Sequence, residues 1–210
     1  MNATIYLEGG GDSKDLRILC RKGFRKLLEK CGFVGYMPRL HSCGGRNSAF
    51  EDFKIAHANK SNSDYVAMLI DSEDPFTGSE TWDHLRNRDG WSKPLGSEND
   101  QVLFMTTCME TWIVVDRKAL KEHYGNKLQE SALPPLTDIE SRSHHDIQND
   151  LSHATRDCSN AYKKGKRSFE VLERLSPDEL ESHLPSFARA KHILETRLLI
   201  RKPTNRLKLH

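Results

Sequence analysis

The sequence predicts an α/β protein: a mostly parallel sheet flanked by helices, with a C-terminal helical extension. Three observations carry that expectation. Short apolar runs alternate with longer stretches whose apolar residues recur every three or four positions, the alternation that builds strand–helix–strand units. The run Tyr65–Ile70 is apolar without interruption, as expected of a strand buried on both faces of a parallel sheet. Acidic residues also close three of the runs, and in open α/β sheets sites form at the carboxyl ends of strands.

A chain of 210 residues suffices for one domain of ordinary size, or for a domain with a helical appendage. With 36% hydrophobic and 30% charged residues it is polar but able to fold. The net charge is +2, from 32 basic and 30 acidic residues, so basic surface must come from distribution and not from total charge. Arg17, Arg21, Lys22, Arg25 and Lys26 form one cluster, and Lys163, Lys164, Lys166 and Arg167 another. The five cysteines include no CxxC pair, so their spacing implies neither a zinc framework nor a disulfide scaffold. The first residues read as a β-prone segment, so no signal peptide is expected. No apolar run approaches the roughly 18 residues that span a bilayer. A cytoplasmic protein with reduced thiols and no membrane partner is expected.

Ala3–Leu7 reads as the first strand, ending at Glu8 and followed by Gly9-Gly10-Gly11-Asp12. From Asp12 to Cys31, residues Leu16, Leu19, Cys20, Phe24, Leu27, Leu28 and Cys31 repeat at helical spacing, and Gly32 is a natural stop. The Gly-rich turn lacks the Gly-Lys-Ser/Thr of a P-loop and the spacing of a dinucleotide fingerprint. Its glycines leave room for close backbone approach, with Glu8 and Asp12 around a ligand; Asp12 is equally placed to cap the helix. Residues 33–40 offer a second strand, and Gly44-Gly45-Arg46-Asn47 leads into a helix over 48–59 with Phe50, Phe53 and Ile55 for its buried face. At that entrance Arg46 would meet an anion, or sit as a surface Arg beside a turn.

The third strand, Tyr65–Ile70, ends in Asp71-Ser72-Glu73-Asp74-Pro75. Carboxylates gathered there repel one another unless a hard cation neutralises them; a solvated acidic turn is the plain alternative. A short helix and loop follow, carrying Trp82, Arg86, Arg88 and Trp91. Residues 101–105 form a fourth strand, and Met109 opens a helix that places Glu110 just past the strand's end. There Glu110 either turns inward or sits exposed in the first turn. Residues 1–125 thus read as the α/β core, 126–152 as a loop or hinge, and 153–210 as a helical extension with a basic tail from Arg201. His144 and His145 are adjacent and do not face one way on regular structure, so they do not read as a metal pair. Ser176-Pro-Asp-Glu179 carries a capping-box pattern, and 187–199 supplies a last helix.

Together these acids form the carboxylate cage of a Mg2+ or Mn2+ site. A strand ending in Glu8-Gly-Gly-Gly-Asp12 and a later strand ending in Asp71-x-Glu73 resemble the Toprim domain of topoisomerases, bacterial primases and OLD-family nucleases. More narrowly, Glu8–Asp12, Gly44-Gly-Arg46, Leu69–Glu73, Met109–Trp112, and Lys164-Gly165 followed by Pro185-Ser-Phe187 resemble a family of small Toprim-like (OLD- or RloB-like) proteins. These are often encoded beside an ABC- or AAA-type ATPase in anti-phage defence. The second motif reads Asp-x-Glu where many Toprim enzymes have Asp-x-Asp. The resemblance implies a Toprim/Rossmann-like sheet and a Mg2+- or Mn2+-dependent nuclease. Glu8, Asp71 and Glu73 would be its catalytic and metal residues, with Asp12 and Glu110 completing the cage. Arg46, Lys163, Lys164 and Lys166 are candidates for phosphate contact with DNA, tRNA or another RNA. A Toprim-like subunit that docks on an ATPase without cutting is the alternative. A primase-like transferase is a weaker third, because no template-handling region is evident, and a homo-oligomer stays open.

Overall fold

The structure, a computed structural model, describes residues 2–198; the tail expected from Arg201 lies outside the described residues. Strands β1 (Ala3–Gly10), β2 (Arg39–Gly44), β3 (Tyr65–Asp71) and β4 (Val102–Met105) form one sheet in the order β2-β1-β3-β4. Every neighbouring pair is parallel. Leu7 lies beside Leu69, and Asp71 beside Met105, so the strands deliver their carboxyl ends to one edge of the molecule.

The unbroken apolar run of β3 follows from burial on both faces. Ala67 and Leu69 join Ile5, Leu7, Leu103 and Met105 in the larger core, while Val66, Met68 and Ile70 join Val102 and Phe104 in the smaller. Successive side chains enter opposite layers, and both layers are apolar where β3 meets them.

Helix α1 (Lys14–Leu28) buries Cys20, Phe24 and Leu27 against the larger core. Ser13, not Asp12, caps it, its hydroxyl accepting the Leu16 N–H at 3.4 Å. The helix widens into a π-type turn over Glu29–Phe33 and closes at Gly32, whose φ is +91°. The second strand therefore differs from the expected 33–40. Phe33 is fully buried at the helix end, and Pro38, which cannot donate to a ladder, precedes the first paired residue, Arg39.

Helix α2 (Arg46–Asn59) begins two residues before the expected start and buries Ala49, Phe50, Phe53 and His57. Ile55, expected on that face, is 63% exposed: it falls between the turns carrying Phe50, Phe53 and His57. Helix α3 (Thr81–Asp89) covers the same side of the sheet, placing Trp82 and Leu85 in the smaller core.

The helix expected from Met109 is two helices. Every residue of α4 (Met109–Val115) is buried, and α5 (Arg117–Tyr124) follows a break at Asp116. The Asp116 carboxylate accepts the Ala119 N–H at 2.9 Å and the Ser176 N–H at 2.7 Å, so one side chain caps α5 and anchors the C-terminal segment.

Residues 126–152 are not simply a loop. They contain short 3-10 turns and most of α6 (His144–Thr155), capped by Ser143 and burying Ile147 and Leu151 in the larger core. Helices α7 (Lys166–Leu172), α8 (Pro177–His183) and α9 (Pro185–Leu198) supply Phe169, Leu172, Leu180, Phe187 and Leu194 to that same core. Pro177 opens α8 as expected, but the Ser176 side chain makes no capping bond. Phe187 meets Trp112 edge to face at 5.0 Å between ring centroids. Arg189 donates to the Val102 and Asn99 carbonyls at 3.1 and 2.9 Å, covering the β4 side of the sheet. Among the described residues, no helix is long and apolar enough to cross a membrane.

Candidate metal centre

Close backbone approach builds the rim of the site. The register between β1 and β2 shifts at each step from Leu7 to Gly10, so that Gly44 faces three successive residues of β1. A side chain on Gly10 (φ +89°) would place Cβ 2.8 Å from the Arg17 backbone, and one on Gly44 (φ +90°) 2.5 Å from the Gly11 carbonyl oxygen. Only glycine permits that approach.

This bend brings Glu8 to the end of β3, where its Oε2 accepts the Asp71 N–H at 3.1 Å. The Asp71 carboxylate is held from the other side by the Met109 N–H at 2.8 Å. Glu73 lies in the left-handed region, with φ +67°, which costs a non-glycine residue about 1–3 kcal/mol. Its backbone is held on both sides: the N–H donates to the Thr107 carbonyl at 2.7 Å, and the carbonyl accepts from His144 Nδ1 at 2.7 Å. In the result, one carboxylate oxygen from each of Glu8, Asp71 and Glu73 lies within 4.8 Å of the other two.

The ionisation of Asp71 and Glu8 is disfavoured here. Burial raises the Asp71 pKa well above its ordinary value, and the neighbouring charges of Glu8 and Glu110 raise it further. Burial also raises Glu8, partly offset by the Arg46 guanidinium and the Asp71 N–H. Three cations flank the cluster, one of them Arg88 at 3.9 Å from Glu73. Arg46 lies 3.6 Å from Glu8, donates to the Asp71 carbonyl, and makes a two-pronged contact with Asp89 at 3.1 and 2.8 Å. Lys164 is held protonated: burial works against its charge, but Glu110 and Asp71 outweigh it.

A cavity of about 320 Å³ opens beside the trio, lined by Glu8, Asp71, Glu110 and Lys164 together with the Gly-rich turn. Glu110 is fully buried yet aimed inward, its carboxylate accepting from Tyr162 Oη at 2.7 Å and Ser168 Oγ at 3.2 Å. The donor set is all oxygen and convergent, and the Asp71 carboxyl resists ionisation, first through burial and then through the charges of Glu8 and Glu110. Mg2+ or Mn2+ fits such a set, since hard cations prefer carboxylate oxygen and relieve this repulsion. Glu8, Asp71 and Glu73 are the residues that would hold it.

The expected site residues separate into groups. Glu8, Asp71 and Glu73 converge; Glu110 and Lys164 line the adjoining cavity without joining the close trio. Asp12 is exposed and lines no part of that cavity. Arg46 is braced inside the cluster and lies 5.1 Å from the Trp91 ring centroid, so it presents no free guanidinium at a helix entrance. Lys163 and Lys166 are exposed, with Lys166 3.9 Å from Glu170. Asp89, His144, Tyr162 and Ser168 are supporting residues that sequence reasoning missed. The signal of Tyr162 and Ser168 was their place on either side of Lys164-Gly165.

A family model described as Domain of unknown function (DUF4276) matches residues 7–195, a span that includes the trio, Glu110 and Lys164. No curated protein and no solved structure matches the chain.

Proposed function

For a chain that belongs to the DUF4276 family, we propose a Mg2+- or Mn2+-dependent, Toprim-like nuclease that hydrolyses phosphodiester bonds in DNA or RNA. We place it in the cytoplasm as the effector of an ATPase-coupled anti-phage system. The observation that carries this reading is the convergence of Glu8, Asp71 and Glu73 within 4.8 Å of one another at the strand ends, beside a cavity that also holds a lysine. A bound divalent cation would polarise the phosphate and lower the pKa of a coordinated water. Glu8 and Asp71 orient the site through backbone N–H bonds, Lys164 offers a positive charge to a phosphate, and Glu110 keeps that lysine charged.

The test is calorimetric titration of Mg2+ and Mn2+ into wild type and Asp71→Asn, followed by cleavage assays on DNA and RNA. Metal binding lost in the variant, with metal-dependent cleavage by wild type, supports the reading. A folded wild type that binds neither ion overturns it.

One observation favours the second reading, a non-catalytic subunit that docks on an ATPase. Arg46 already stands 3.6 Å from Glu8, so part of the cluster's charge is balanced within the protein. That reading expects Glu8→Gln and Asp71→Asn to leave cellular function intact.

A further inference from the structure

Apart from the carboxylate trio, a chemically different set of donors converges on the outer strand. His41 and Cys43 lie two residues apart on β2, so their side chains leave the same face. Helix α2 packs over that face and contributes Asp52. Ligand atoms of His41, Cys43 and Asp52 all lie within 4.8 Å of one another. His41 Nε2 stands 3.8 Å from Asp52 Oδ2, too far for a hydrogen bond. It is close to the roughly 3.3–3.5 Å that separates two atoms ligating one tetrahedral Zn2+.

Among the described residues, the three side chains engage chiefly one another. The one ion pair of Asp52 is this long approach to His41, and the Cys43 thiol lies 3.5 Å from the His41 carbonyl and also contacts the Asp52 side chain and the Leu7 backbone. Tyr6, the register neighbour of His41 on β1, packs its ring 5.4 Å from the imidazole and limits its rotation. Access is open from one side: the His41 and Asp52 side chains are 52% and 43% exposed, while Cys43, 4% exposed, forms the floor.

We propose that His41, Cys43 and Asp52 form a second metal site that takes a transition-metal ion of the Zn2+ class, with water in the fourth position. Nitrogen and sulfur donors favour such an ion over Mg2+, which separates this site from the carboxylate trio. Three protein ligands with one open position form an exchangeable site, unlike the four-ligand closure of a structural zinc. Binding replaces the thiol proton of Cys43, which passes to solvent. The ion would tie β2 to α2, the two elements that carry Gly44 and Arg46 to the rim of the carboxylate trio.

The test uses Co2+ as a spectroscopic probe on the full chain under reducing conditions. Wild type should bind one equivalent at this site with a thiolate-to-cobalt charge-transfer band, and Zn2+ should displace it. The band should vanish in Cys43→Ser and persist in Asp71→Asn. His41→Gln, at an exposed position, should lower Co2+ affinity by at least about tenfold, the loss seen even for groups that merely support a ligand. Wild type without a thiolate band, or a band retained in Cys43→Ser, overturns the proposal. These readouts involve neither Mg2+ nor cleavage, so their failure is separable from failure of the nuclease reading.

Discussion

Tyr162 donates its hydroxyl to the Glu110 carboxylate at 2.7 Å, across 52 positions of sequence. The contact joins the first turn of α4 to the segment leading into α7, and it explains how a fully buried carboxylate is tolerated beside the cavity. Ser168 supplies a second donor at 3.2 Å, and Lys164 supplies the charge. Residues 162–168 therefore pack directly against the candidate site.

Removing the Tyr162 hydroxyl leaves Glu110 buried with one fewer donor. Tyr162→Phe is expected to cost about 1–3 kcal/mol, the range for an unsatisfied buried polar group. Urea unfolding should show a lower midpoint with an unchanged slope, since the surface exposed on unfolding hardly changes. A midpoint equal to wild type would mean that Glu110 does not depend on this bond.

Stability should also depend on pH in a direction set by Asp71 and Glu8. Both carboxyls have pKa values raised by folding, chiefly through burial. Between the ordinary value near 4 and the raised native value, the folded state holds more protons than the unfolded one. Without divalent metal, the contribution of these groups to stability is fully present below about pH 4 and is lost as pH rises through the native pKa values. Thermal unfolding across that window should show this fall, and Asp71→Asn should flatten it. Mg2+ or Mn2+ should raise the melting temperature increasingly as pH rises, because it binds the ionised form. A metal effect independent of pH would contradict a carboxylate site.

Much of this architecture was legible because its strands are buried on both faces. Tyr65–Ile70 and Val102–Met105 are apolar at every position, and the acids at their ends stand out against that background. The edge strand β2 was not legible: His41 and Ser42 interrupt its apolar character, and the apolar Phe33 belongs to the end of a helix turn. Helix α6 was hidden because Ile147 and Leu151 are the only large apolar residues on its buried face, which Ala154 and Thr155 complete, and Ser143 was the available start signal. In the site, Glu8, Asp71 and Glu73 were readable from their strand ends. The bracing of Arg46 by Asp89, and of Glu73 by His144, arises from tertiary placement that leaves no local pattern.

Arg46 separates two accounts of the same side chain. As a phosphate contact, its loss would mainly weaken nucleic-acid binding. Its position, 11% exposed between Glu8 and Asp89, predicts a structural effect instead. Arg46→Ala removes one of the two cations on the Asp89 carboxylate, leaving Arg88 at 2.6 Å, and should cost about 1–3 kcal/mol, the range for a buried polar group that loses a charged partner. In the fraction that stays folded, Mg2+ should bind more tightly, since a competing positive charge has left Glu8. Unchanged stability with weakened nucleic-acid binding would restore the phosphate role.

Lys164 is the better candidate for that role. It lines the cavity with Glu8, Asp71 and Glu110, whereas Lys163 and Lys166, exposed as Lys164 is, line no part of it. Lys164→Ala should weaken nucleic-acid binding uniformly across sequences and reduce the slope of log affinity against log salt by about 1. Anisotropy titrations of labelled oligonucleotides over a range of salt, with Ca2+ replacing Mg2+ to suppress cleavage, would read both quantities. Lys163→Ala should change the affinity less, because Lys163 lines no part of the cavity beside the carboxylates. Equal effects from the two variants would point to a diffuse basic surface, and no effect from Lys164→Ala would leave its charge a purely internal balance to Glu110.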